Sequence, residues 1–163
     1  MKKILLTAIA FSGTVLLADI DLNVKHFLPP ENGSAKIVTR RGWFGKKAIM
    51  LNGKGNETAP ATAMYKKSFP FRNAVYEVKA DIVARGTAYI DLVFVNAAGK
   101  ELLTRRIISV TATDSVARRE YEGKADLRGV IFKESPAAVK LLIGIGKNSS
   151  AVFEDIEMEI DDD

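Results

Sequence analysis

Between Ala74 and Val95 the chain alternates apolar and polar residues with a period of two, and this constrains the fold more than anything else in the sequence. Tyr76, Val78, Ala80 and Ile82 interleave with Glu77, Lys79 and Asp81, then Ile90, Leu92 and Phe94 interleave with Tyr89 and Asp91. A period of two places one set of side chains on a dry face and the other on a wet face, as in a strand of a half-buried sheet. Arg85-Gly86 reads as a turn between two strands, Ala74–Ala84 and Ala88–Val95, and Ala97-Ala98-Gly99-Lys100 as the turn after them. An antiparallel meander is the expectation.

The flanking sequence repeats the pattern. Asp19–Phe27 is expected to be a first strand, closed by Pro29-Pro30 and a turn-rich segment. Ala35–Thr39 and Lys47–Leu51 flank a basic hairpin tip containing Trp43, and residues 52–61 read as a loop. Glu101–Thr111 is expected to be a strand with a bulge, its core residues being Leu103, Ile107 and Val110. The signal weakens from Ala112 to Ser135, where a short helix around Ser115–Tyr121 competes with extended structure. Val139, Leu141, Ile143 and Ile145 then alternate cleanly, and Ala151–Ile160 reads as a closing strand. Roughly nine or ten short strands with no long amphipathic helix predict an all-β sandwich.

Residues 1–18 have the layout of a secretory signal peptide. Lys2 and Lys3 precede an apolar run that ends at the small residue Ala18. The run is interrupted by Thr7, Ser12, Gly13 and Thr14, which disfavours a membrane anchor. Cleavage there takes 18 residues from 163 and leaves 145 (19–163), enough for a single domain. The product is expected in the periplasm or outside the cell, with no membrane insertion after cleavage. There is no cysteine, so packing alone must hold the fold. Without Lys2 and Lys3, 22 of the 24 basic residues face 20 acidic ones, too even a balance to predict nucleic-acid binding. Seven of those acids fall within the last ten residues, so the rest of the chain is basic and suited to anionic ligands.

Four segments resemble the secreted carbohydrate-binding modules with a galactose-binding-like jelly roll: GKKAIML at Gly45–Leu51, the Phe69–Leu102 stretch, SPAAVKLLIGI at Ser135–Ile145 and VFEDIEMEI at Val152–Ile160. The resemblance implies a two-sheet antiparallel jelly-roll β-sandwich that binds a polysaccharide or other glycan, often with a structural calcium ion. Asp155 stands where the family's closing strand carries an aspartate, and oxygen-rich sites of that kind suit calcium.

Two surfaces are candidates for the glycan. Trp43 offers a flat ring for stacking, and Arg40, Arg41 and Lys46 beside it can pair with uronate or sulfate groups. Alternatively, Tyr89 and Asp91 share an outward face with Glu77 of the neighbouring strand. Each surface also has a plainer reading, as a ring folded over the sandwich edge or as a solvated sheet face. Asp155, Glu157 and Glu159 raise a carboxylate glycosidase as a third possibility, since glycoside hydrolysis needs paired acids. The run lacks the tryptophan-rich cleft of jelly-roll glucanases, and no zinc cluster, nucleophile elbow or phosphate-binding loop is present. The sole histidine, His26, is expected to be a turn or packing residue. The sequence therefore predicts an exported, non-catalytic carbohydrate-binding protein, with an anionic polysaccharide as a candidate ligand. A structural or protein-interaction sandwich with no sugar site is the alternative.

Overall fold

The computed structural model describes residues 20–28, 38–41, 47–53, 61–112 and 118–162. They form ten strands: β1 (Ile20–Asp21), β2 (Val38–Arg41), β3 (Lys47–Asn52), β4 (Ala61–Met64), β5 (Phe69–Pro70), β6 (Val75–Val95), β7 (Glu101–Ala112), β8 (Arg119–Asp126), β9 (Ala138–Ile145) and β10 (Ser150–Asp161). The all-β expectation holds. Every strand pairing is antiparallel.

The expected turn at Arg85-Gly86 is not one. β6 runs unbroken for 21 residues and only bends there, passing from one sheet into the other. Up to Arg85 its neighbours are β10 and β8, and beyond Gly86 they are β9 and β7. The first sheet therefore runs β2-β3-β10-β6-β8, with β1 also on β10. The second runs β7-β6-β9-β4, with β5 also on β9.

Gly86 makes the bend possible. Its φ is +81°, in the region that favours glycine, and a Cβ there would lie 2.3 Å from Ser149 Oγ. Ser149 is buried; its Oγ accepts from Thr87 N at 2.9 Å and donates to the Lys147 carbonyl at 3.0 Å. A positive-φ glycine serves a tight turn and a corner equally well.

The even-numbered residues of β6 keep facing inward through the corner. Tyr76, Val78, Ile82, Ile90, Leu92 and Phe94 are all fully buried, in one core with Leu141 and Ile143 of β9 and Phe153, Ile156 and Met158 of β10. Each such large side chain contributes about 1.5–3 kcal/mol, which is how a chain without disulfides holds together. Edge-to-face contacts order part of this core, with Phe71 packed on both Phe94 and Phe132, and Tyr76 on Phe94. The Tyr76 hydroxyl is satisfied by accepting from Arg72 N and donating to Arg72 O.

Two other elements differ from expectation. The first strand is only two residues long, followed by a 3-10 turn at Val24–His26 and a bridge between Phe27 and Tyr65. His26 does pack as anticipated, its Nδ1 lying 3.3 Å from Tyr65 Oη. Of the stretch where a short helix competed, residues 119–121 belong to strand β8, and 115–117 lie outside the described residues. β8 was hard to read because only one of its faces is even half covered, so its alternation is weak. The bulge expected in β7 is present. Ile90 pairs with Ile108 and Asp91 with Arg106, leaving Ile107 as the extra residue.

Candidate functional site

Tyr89, Asp91 and Val93 project from the outer face of the β7-β6-β9-β4 sheet because their neighbours Ile90, Leu92 and Phe94 face the core. Across the sheet, Tyr89 pairs with Gly144 of β9. Gly144 has no side chain to hold the phenol off the sheet, and a Cβ there would fall 2.3–2.6 Å from Tyr89 Cζ, Cε2 and Oη. The ring therefore lies over Gly144.

On the other side, the bulge at Ile107 sets Arg106 opposite Asp91. The Arg106 guanidinium lies 3.8 Å from the Tyr89 ring centroid. Its Nε and Nη2 donate to the two Asp91 oxygens at 2.9 and 3.1 Å. Glycine, phenol and guanidinium form three layers, with Asp91 clamping one edge of the top one.

This arrangement covers what was expected to be an open ring. Tyr89 is 6% exposed and Asp91 5%, whereas the Arg106 side chain is 50% exposed. Burial raises the Tyr89 pKa, with Arg106 opposing that shift, so the phenol stays protonated at neutral pH. No described residue hydrogen-bonds Tyr89 Oη. Met64 and Leu142, paired across β4 and β9, and Lys140, opposite Val93, share this face.

Glu77 does not join Tyr89 and Asp91. It faces outward from the other sheet, because the bend at Gly86 puts the two halves of β6 in different layers. There it receives Lys124 at 2.6 Å and Lys79 at 2.8 Å. Those lysines hold its carboxyl at a pKa of about 2. Arg40 and Arg41 lie in β2. Their side chains, like Trp43 and Lys46, are outside the described residues.

Asp155 sits at a second bulge, between Glu154 and Glu157 of β10, with φ at +44°. Arg118 pairs with Asp81 and also lies 3.8 Å from Glu154 and 3.6 Å from Asp155. One guanidinium thus gathers three carboxylates, including the buried Glu154. Among the described residues, no group of three or more His, Cys, Asp or Glu side chains is arranged to hold a metal ion.

Arg106 and Gly144 were not singled out from sequence. The signals were an Arg105-Arg106 pair beside an expected bulge, and a glycine within a clean alternation. Neither identifies its partner without the strand register.

No family model and no curated protein matches the sequence. Solved structures do match in fold. The CBM22-1 xylan-binding domain from Paenibacillus barcinonensis Xyn10C superposes with a TM-score of 0.59 at 10% identity, over 90% of this chain and 94% of that one. A family 29 carbohydrate-binding module variant in complex with mannohexaose gives 0.55 at 12% identity, covering 89% and 93%. The CBM22-1–GH10 portion of Clostridium thermocellum endo-1,4-β-D-xylanase 10B, complexed with xylohexaose, gives 0.60 at 12% identity; it is matched over 90% of this chain but 28% of its own length. The fold is thus that of carbohydrate-binding modules, a jelly-roll β-sandwich as the sequence led one to expect.

Proposed function

We propose that this protein is an exported, non-catalytic module that binds polysaccharide on the outer face of the β7-β6-β9-β4 sheet. The observation that carries this is the Gly144–Tyr89–Arg106 stack. It puts a half-exposed guanidinium, backed by the buried Tyr89 ring and held by Asp91, on an outward sheet face, a set of ordered hydrogen-bond donors of the kind that hold a sugar. The shared fold with modules seen with xylohexaose or mannohexaose supports the reading. The half-exposed Arg106 and nearby Lys140 favour an acidic polysaccharide over a neutral one. The non-catalytic part is supported by Asp155, the first of the three β10 acids considered for hydrolysis, which is engaged by Arg118. Export rests on the signal layout of residues 1–18.

Affinity electrophoresis and calorimetry against neutral and acidic polysaccharides test the reading. Binding that is lost in Tyr89→Ala, with the circular dichroism spectrum unchanged, is the expected result. Absence of binding to every polymer overturns it. Calcium at Asp155 would compete with Arg118 for the same oxygens, so a calcium-dependent rise in Tm that disappears in Asp155→Asn is the observation that would establish it.

A further inference from the structure

We propose that Arg106 reads the carboxylate of a uronic acid unit, with Tyr89 and Asp91 as its positioning residues; this rests on the glycan-binding reading above. A guanidinium presents its N–H groups in one plane, along edges that each match a carboxylate. Asp91 occupies the edge made by Nε and Nη2. The end edge, made by Nη1 and the second Nη2 hydrogen, makes no hydrogen bond with any described residue. It belongs to a side chain that is half exposed.

Few surface arginines are so constrained. Asp91 fixes the in-plane orientation of the group, and the Tyr89 ring 3.8 Å away fixes the plane itself. A free arginine loses rotamer entropy when it grips a ligand, whereas this one has already lost much of it on folding. Sugar hydroxyls can be bound by many side chains. A preset planar fork is distinctive for a planar anion, which two parallel charge-assisted bonds hold with defined geometry.

Charge balance sharpens the ligand class. Asp91 neutralises Arg106, so the stack is no strongly positive well that would attract any polyanion. Recognition must come from geometry, with Lys140, opposite Val93, adding one further cation on the same face. This suits a chain with one carboxylate per sugar unit better than a densely sulfated polymer. Tyr89 Oη remains available to a neighbouring sugar hydroxyl.

The test compares glucuronoxylan, polygalacturonate and alginate, each beside its carboxyl-reduced form, which keeps the backbone and removes the charge. Calorimetry on the full chain is expected to show at least one acidic polymer bound about tenfold or more tightly than its reduced form, the size of a charge-assisted pair. Arg106→Gln is expected to weaken the acid form more than the reduced form, closing the gap in affinity between the two. Arg106→Lys is expected to restore only part of the difference, because an ammonium cannot make the two-bond contact. Free galacturonic acid should compete weakly, which separates the carboxylate contact from contacts to the rest of the chain. Equal binding of acidic and reduced forms, or an indifferent Arg106→Gln, overturns the role of Arg106 while the glycan reading stands. No binding to any polymer overturns both.

Discussion

Gly86→Ala is the most informative single change to the scaffold, because it acts at the corner where β6 passes between sheets. Two costs combine. Holding an alanine at φ +81° costs about 1–2 kcal/mol. The new Cβ would also stand 2.3 Å from Ser149 Oγ, 2.9 Å from its Cβ and 3.2 Å from its Cα. Ser149 can retreat only by giving up the bond from Thr87 N, and overpacking of this kind costs about 1–3 kcal/mol. Together they give roughly 2–5 kcal/mol, a large share of the stability of an ordinary domain. At about 3 °C per kcal/mol for a chain of this size, Tm should fall by about 6–15 °C. Urea denaturation followed by circular dichroism measures the change directly. Ser149→Ala removes the nearest clashing atom. It is expected to destabilise the wild type by about 1 kcal/mol through its lost hydrogen bonds, and to cost less or even help in the Gly86→Ala background. A loss below about 1 kcal/mol for Gly86→Ala, or strict additivity with Ser149→Ala, would refute the assignment of the bend to this contact.

Gly123→Ala should destabilise by about 1–3 kcal/mol, since its Cβ would meet the backbone of Ile107, with the carbonyl oxygen 2.1 Å away, and β7 would have to move; denaturant melts check this. Gly144→Ala should lift Tyr89 from the sheet, lose a cation–π contact worth about 0.5–2 kcal/mol and weaken glycan binding more than it weakens the fold, as calorimetry and melting on one preparation will show. For Glu77, the folded pKa of about 2 lies below the ordinary carboxylate value, so its ion pairs stabilise the protein fully above about pH 4.5 and lose their effect as pH falls towards 2. Both lysines are well exposed, which keeps that contribution below about 1 kcal/mol. The Tm difference between wild type and Glu77→Gln should therefore be largest near neutral pH and vanish near pH 2.

The strands were legible where a single segment carried its own signal. Ala74–Ala84 and Ala88–Val95 announce one buried face each, and both bury the face they announce. What failed were relations between segments. Arg85-Gly86 correctly signals a positive φ, yet local sequence cannot say whether the chain reverses there or turns a corner, since that depends on the partners of each half. The same limit hid the site. Tyr89 and Asp91 were placed on the outward face, but Gly144 and Arg106 reach them through register, and the Ile107 bulge shifts that register by one residue. Glu77 was grouped with Tyr89 for want of the same knowledge. At β10 the closing strand was legible as a strand, and its register slips between Glu154 and Glu157.

A single strand at the centre of both layers also sets the order in which the molecule can be completed. The four long partners of β6 are residues 101–112, 119–126, 138–145 and 150–161, and all of them follow it in the chain. As the polypeptide is made, β6 emerges with none of these neighbours, gains β7 on one half and β8 on the other, then β9, and is fully flanked only when β10 arrives. Closure is therefore deferred to the last dozen residues of the described chain. A nascent chain cut short before Ser150 would leave one edge of β6 bare along residues 75–85, and native-state hydrogen exchange of the finished protein should find the amides on both sides of Gly86 opening together, as one unit.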